Sequence, residues 1–463
     1  MRSVLSIILA AALAACATAT AAPEAAPEAA ASPAERGAFA STYQPFASGV
    51  TVIRGGTVMT AAGEVLPGGA VLIKDGRITA VGASVNAPAE ARLIDAAGKY
   101  VTPGLIDTHS HLGVYPSPGV AAHSDGNEAT DPVTPEVWAE HSVWPQDPGF
   151  TRALAGGVTT LQILPGSANL IGGRGVTLRN VPSRTVQGMK FPGAPHGLKM
   201  ACGENPKRVY RSRGPSTRMG NVAGYRAAWI RASEYRDSWD EWRENGSDSD
   251  SRPDRDLGME TLAGVLRGDI LVHNHCYRAD EMAQMIDIAD EFGYQIRSFH
   301  HGVEAYKLRD LLAEHDISGS LWADWWGFKM EALDATNANI ALVHDAGARA
   351  IVHSDDAGGI QRLNQEAAKA LKAGREAGLE ISENDALRWI TANPAWALGV
   401  LEQTGTLEEG KRADVVVWDG NPFSVYARAE MVFVDGALLY HRDNPSVQPV
   451  TDFEVGILPG GVR

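Results

Sequence analysis

Two histidines two residues apart, His109 and His111 in VTPGLIDTHSHLG, are the first residues of this chain whose types and spacing suggest chemistry. On a β-strand that spacing turns both imidazoles to one face. At the carboxyl end of a barrel strand that face points into the site. Two neutral imidazoles aimed at one point suit a transition metal such as zinc. A core or surface histidine pair is the rival, because a His-x-His match specifies little by itself. Three later stretches carry the same residue types: LVHNHCYRADEM with His273 and His275, IRSFHHGVEAYKL with His300 and His301, and ARAIVHSDDAGG with His353, Asp355 and Asp356. Adjacent strand residues face opposite ways, so only one of His300 and His301 is expected to be the inward ligand. GLKMACGENPKRVYR poses a further question, since it sets Lys199 in an apolar run and Glu204 just past Gly203. Both groups are costly to bury without partners.

Strands and helices must position these groups. From residue 50, VTVIRGGTVMT, GAVLIKDGRITAVG and ARLIDAAGKYV are short β-branched runs split by Gly and Asp turns, the pattern of a small β unit. The same style returns in GTLEEGKRADVVVWDG and AEMVFVDGALLYHRD. Residues 46–103 and 401–450 are therefore expected to build one composite β-sandwich from both chain ends. Between them, over 104–400, strand-like runs such as GVTTLQILPG and DILVHNHC alternate with helical stretches. In DEMAQMIDIADEFG the apolar residues Met282, Met285, Ile286 and Ala289 recur at helical spacing. Such repetition predicts a parallel α/β barrel or open sheet, and 463 residues suffice for a barrel of about 250 plus a second unit. Residues 231–256 are highly charged and predict a helix followed by an exposed loop within an insertion.

A net charge of −15 argues against nucleic acid as a partner, since phosphate binding needs a basic surface. Three cysteines, Cys16, Cys202 and Cys276, are too few for a disulfide framework. Cys202 and Cys276 adjoin the candidate ligand motifs. They are expected to be small buried packing residues, with zinc ligation as the rival. MRSVLSIILAAALAAC has the form of a secretory signal, and Leu13-Ala14-Ala15-Cys16 resembles a bacterial lipobox, with ordinary cleavage near Ala22 as the alternative. Residues 1–16 are then the signal peptide and residues 17–45, rich in Ala and Pro, an unfolded tether. The expected location is the periplasm or the outer membrane as a lipoprotein, with membrane contact only through that lipid anchor.

A β unit ending in GKYVTPGLIDTHSH resembles the opening of the amidohydrolase superfamily, and TANPAWALGV and GTLEEGKRADVVVWDGNPF resemble its closing segments. The resemblance spans about residues 50–440 and is strongest to the imidazolonepropionase-like branch. It implies a distorted TIM (β/α)8 barrel with a small β-sandwich domain, holding one or two divalent metal ions, most typically zinc. The implied ligands are His109, His111, His275, His301 and Asp355. His275 is preferred to His273 because it stands three residues before Arg278; His273 then reads as packing, and His300 as structural or outward. His353 would line the pocket and Asp356 would cap a loop or helix. Asp355 would shuttle the proton of a metal-activated water, and His275 or a metal would polarise the scissile carbonyl.

The bridging group stays open among three readings. Lys199, carboxylated by carbon dioxide, would supply a carbamate; Glu204 would need no modification; or the site is mononuclear and neither bridges. Trp325 and Trp326 in WADWWGF are expected to wall an apolar pocket or to pack in the core, and Arg208 and Arg211 to bind a substrate carboxylate or to be solvated. The implied activity is hydrolysis of a C–N bond in an amide, dipeptide, N-acyl amino acid or cyclic amide. The alternatives are an amino-heterocycle deaminase and a noncatalytic periplasmic binding protein. The partner is a small molecule or short peptide, and an oligomer is compatible with everything above.

Overall fold

The computed structural model describes residues 39–448. The expected signal peptide and most of the expected tether lie outside the described residues. Both chain ends contribute to one eight-stranded sheet. Its first part is β1 (Thr51–Met59), β2 (Val65–Lys74), β3 (Arg77–Gly82), β4 (Arg92–Asp95) and β5 (Tyr100–Pro103). A register shift in β1 between Arg54 and Val58 lets Ile53 and Val58 bury in one cluster with Val71 and Ile73 of β2.

The barrel strands follow as β6 (Leu105–Ser110), β7 (Val158–Ile163), β8 (Ile171–Arg179), β9 (His196–Ala201), β10 (Ile270–Cys276), β11 (Ile296–His301), β12 (Ser318–Leu321) and β13 (Ala350–Val352). The chain then returns to the first sheet through β14 (Val415–Trp418), β15 (Ala429–Val434) and β16 (Ala437–His441), with β14 pairing antiparallel to β5. Barrel neighbours run in chain order from β6 to β13. Between the two ends, Asp355 N–H donates to the His109 carbonyl at 3.0 Å, bringing the last strand's exit beside the first.

The expected parallel order breaks at β8, which is antiparallel to both β7 and β9. The reason is length. Only the seven residues between Ile163 and Ile171 join β7 to β8, whereas a parallel crossover needs a dozen or more. The expected helices form where the apolar spacing put them. Ala279–Phe292 buries Met282, Met285, Ile286 and Ala289, and stops at Gly293 in the left-handed region. The charged segment joins a longer helix, Arg218–Glu244, capped by the Thr217 side chain and burying Tyr225, Ala228, Trp229 and Ala232. Among the described residues no helix is long and apolar enough to cross a membrane.

One expectation about the cysteines is corrected. Cys202 and Cys276 are buried, as expected, but they form a disulfide, which excludes either thiol as a zinc ligand. β9 and β10 are neighbours, and Cys202 N–H donates to the His275 carbonyl at 2.9 Å, so the two Cα atoms stand 5.2 Å apart. The bridge closes a 74-residue separation, and the chain-entropy relation gives a loop of that size about 4 kcal/mol of stabilisation. Cys202→Ala/Cys276→Ala is expected to lose that amount in urea unfolding, and unreduced wild type to lose it on adding reductant. An unchanged midpoint in both cases would exclude the staple.

Candidate metal centre

β6 delivers His109 and His111 to one face, as the spacing predicts. The His109 Nε2 and His111 Nε2 atoms are 3.3 Å apart. Asp355, just past β13, places Oδ1 3.3 Å from the first and 3.2 Å from the second. The three atoms make a nearly equilateral triangle. Ligands on a tetrahedral zinc with bonds of about 2.0–2.1 Å lie about 3.3–3.4 Å apart, so this triangle fits one face of such an ion. Asp355 Oδ2 lies 3.8 Å from His301 Nδ1.

Around this triangle stand the other expected residues. His275 and His301 have ring centroids 4.6 Å apart. His275 Nδ1 is buried with no hydrogen-bond partner among the described residues. Lys199 is fully buried, and its Nζ donates to the Pro165 carbonyl at 2.9 Å. Burial lowers the Lys199 pKa to about 8, against the pull of the Asp355 carboxylate. Burial first, and the Lys199 cation next, hold His109 and His275 well below the ordinary histidine range. His301 is also held low, by burial and then by His275 and His353. Neutral imidazole is the form that binds metal.

Two site residues have unusual backbones. His301 has φ +72° and Asp355 φ +53°, the left-handed region that non-glycine residues seldom occupy. The turn at His301 breaks strand alternation. His300 is not outward: like Ser298 two residues before it, it lies fully buried inside the barrel, with Nδ1 2.8 Å from His109 Nδ1, in keeping with the structural reading. His353 lines the site as expected, with Nε2 3.0 Å from His301 Nδ1. Asp356 caps the loop, its Oδ1 accepting from Gly358 and Gly359 N–H. Asp107, buried and raised to about 7 chiefly by that burial, accepts from His109 N–H, Ser354 N–H and Ser354 Oγ. It ties β6 to the Asp355 turn.

His109, His300 and His353 also bring ring nitrogens within 4.8 Å of one another. The 2.8 Å separation of His109 and His300 is a hydrogen-bond length, shorter than a tetrahedral edge. The His109, His111 and Asp355 face is the better cation seat.

Glu204 opens the short helix Glu204–Val209 and pairs with Lys329 Nζ at 3.4 Å. Arg208 and Arg211 are exposed, and the Arg208 charge acts on both Tyr277 and Lys329. Lys329 is the more buried cation beside it. It sits 4.1 Å over the Tyr277 ring and donates to Asn205 Oδ1 at 3.1 Å. Asn205 Nδ2 in turn lies 3.4 Å from His275 Nε2. Lys329 directly follows WADWWGF, but no spacing rule ties a single lysine in a loop to the site. In WADWWGF the residue against the site is Trp322, stacked on His301 at 4.2 Å. Trp325 stacks on Trp322 at 5.5 Å, and Trp326 is more exposed.

The family model for the amidohydrolase family matches residues 269–442. A solved amidohydrolase from Thermotoga maritima is 37% identical, with a TM-score of 0.78 over 85% of this chain and all of that one. This chain belongs to the amidohydrolase family. Amidohydrolase tasK of Hapsidospora irregularis is 35% identical over 82% of this chain, which spans only 40% of that relative's length. An imidazolonepropionase of Mesorhizobium japonicum is 24% identical over 80% of this chain and 92% of its own.

Proposed function

We propose that this amidohydrolase-family chain is a metal-dependent hydrolase that cleaves a C–N bond in an amide, dipeptide, N-acyl amino acid or cyclic amide. The observation that carries the reading is the triangle of His109 Nε2, His111 Nε2 and Asp355 Oδ1 with edges of 3.2–3.3 Å. His109, His111, His275, His301 and Asp355 are the proposed ligands of one or two divalent ions, most suitably zinc, with Lys199 as the bridging side chain. A bound metal supplies Lewis acidity and brings the pKa of water to about 7.

The chain's own groups do the rest. Asp355 takes the proton of the attacking water and passes it to the leaving nitrogen. His275, neutral and facing the site, orients the scissile carbonyl. Trp322 closes one side of the site to water, and Lys329 fits a substrate carboxylate, which dipeptides and N-acyl amino acids carry. The buried disulfide supports an oxidising compartment, in keeping with export and a lipid anchor at Cys16.

The test is a metal count with parallel screens of dipeptides, N-acyl amino acids, cyclic amides and amino-heterocycles. Expected is at least one bound divalent ion and hydrolysis in one of the first three sets. Ammonia release from amino-heterocycles without amide cleavage would replace this reading with the deaminase. Active protein free of transition metal would end it.

The Lys199 role has its own measurement. The neutral amine is the form that adds carbon dioxide, and its fraction grows as pH rises through about 8. Metal reconstitution in 13C-bicarbonate is expected to give one carbamate carbon signal, absent in Lys199→Arg. No signal in fully loaded wild type would leave Glu204 or a mononuclear site.

A further inference from the structure

His109 reaches the proposed metal face with Nε2. Its other nitrogen, Nδ1, points into the barrel and stops 2.8 Å from His300 Nδ1. The far nitrogen of His300, Nε2, lies 2.9 Å from His273 Nδ1. All three rings are buried, 0–1% exposed, so no solvent proton breaks the chain. The row ends at His273 Nε2, which has no partner among the described residues. Gln162 Oε1 is likewise unpartnered, and Gln162 and His273 flank the same point above Gly197: a Cβ built there would lie 2.6 Å from the Gln162 amide and 2.9 Å from the His273 ring.

Three neutral imidazoles in a row carry one proton each, and each contact between two ring nitrogens needs one donor and one acceptor. Only two registers satisfy both contacts. In one, His109 Nδ1–H donates to His300 Nδ1, His300 Nε2–H donates to His273 Nδ1, and His273 keeps its proton on Nε2. His109 Nε2 then shows a lone pair to His111 and Asp355. In the other, every proton sits at the opposite end, and His109 aims an N–H at the position a cation would take. The first register alone lets His109 ligate through Nε2.

We propose that His300 and His273 are positioning residues, a buried hydrogen-bond relay that sets the tautomer and ring orientation of His109 for metal binding. The inference rests on the proposed metal site. It gives the paired histidines of SFHHG separate tasks: His301 faces the site, and His300 braces the ligand opposite it from within the barrel. Partners of this kind on a ligating histidine are commonly worth about 10–100-fold in metal affinity.

The decisive experiment measures zinc affinity by chelator competition on the full chain, with folding of each apo-variant checked by circular dichroism. His300→Asn can present an amide oxygen where His300 Nδ1 stood, so it still accepts from His109 Nδ1–H; it is expected within about threefold of wild type. His300→Leu offers no acceptor and is expected to bind about 10–100-fold more weakly. His273→Leu, which only ends the row, should fall between them. Equal affinity in His300→Leu and wild type, or His300→Asn as weak as His300→Leu, would overturn the relay. Should His300→Leu fail to fold, 15N-histidine labelling of zinc-loaded wild type decides. A slowly exchanging ring proton on His109 Nδ1, coupled to His300 Nδ1, is expected; a freely exchanging one would refute the proposal. Wild type that binds no divalent ion would refute the metal site itself, a different failure from unchanged affinity in His300→Leu.

Discussion

Asp355→Asn is expected to lower kcat by about 10³-fold, the scale of losing a general acid–base group. The substitution keeps an oxygen near His109 and His111 but removes the group that can hold a proton. Asp355 sits in the left-handed region at φ +53°, where asparagine is among the tolerated residues, so the turn survives the change. Metal content and activity should therefore be measured together on the same preparation. Retained metal with lost turnover assigns the carboxylate to proton transfer. Loss of both assigns it first to ligation. Activity above a tenth of wild type would remove Asp355 from the reaction.

The second large effect concerns stability. Arg179, at the end of β8, is fully buried and joins the barrel to the terminal sheet. It pairs with Asp414 and lies 3.2 Å from Asp435, and it donates to Thr160 Oγ1 at 2.9 Å. Asp435 has a second cation in Arg412 at 2.9 Å, whereas among the described residues Asp414 otherwise accepts from Thr404 Oγ1 and Asp435 N–H alone. Arg179→Met thus strands a buried carboxylate, and the expected cost at neutral pH is about 3–5 kcal/mol.

The pH dependence has a definite sign. Burial alone would raise the Asp414 carboxyl, but the Arg179 charge and its hydrogen bonds outweigh that and hold it below the usual range. A depressed carboxyl stabilises the fold above its unfolded pKa of about 3.9 and loses that contribution as pH falls through the lower folded value. Without Arg179 the same burial raises the carboxyl, and the folded variant takes up a proton more readily than the unfolded chain. The penalty should shrink between neutral pH and about pH 5. Urea unfolding at both values checks it. A pH-independent penalty, or a neutral-pH loss under about 1 kcal/mol, would show that the pair is not what joins the two sheets.

The shared face of the first histidine pair was legible in the sequence. His109 and His111 share a face because strand side chains repeat every two residues, and that rule needs no tertiary information. Residue types, their order and the helical spacing of Met282, Met285, Ile286 and Ala289 likewise follow from local chemistry. The rule stops at His301, and for a physical reason: alternation holds only while the backbone stays extended, and His301 leaves that region at φ +72°.

By itself, then, the sequence determined the family, the alternating strands and helices, and which histidines and carboxylates were available. The tertiary structure decided what depends on distance between remote segments. It joined Cys202 to Cys276, turned β8 against its neighbours, set Lys329 over the Tyr277 ring, and set Arg179 against Asp414. It also decided which nitrogen of His109 faces the site and which faces His300. Spacing along a chain sets only the side of a strand to which a residue points. Closure of the barrel sets what stands on the other side.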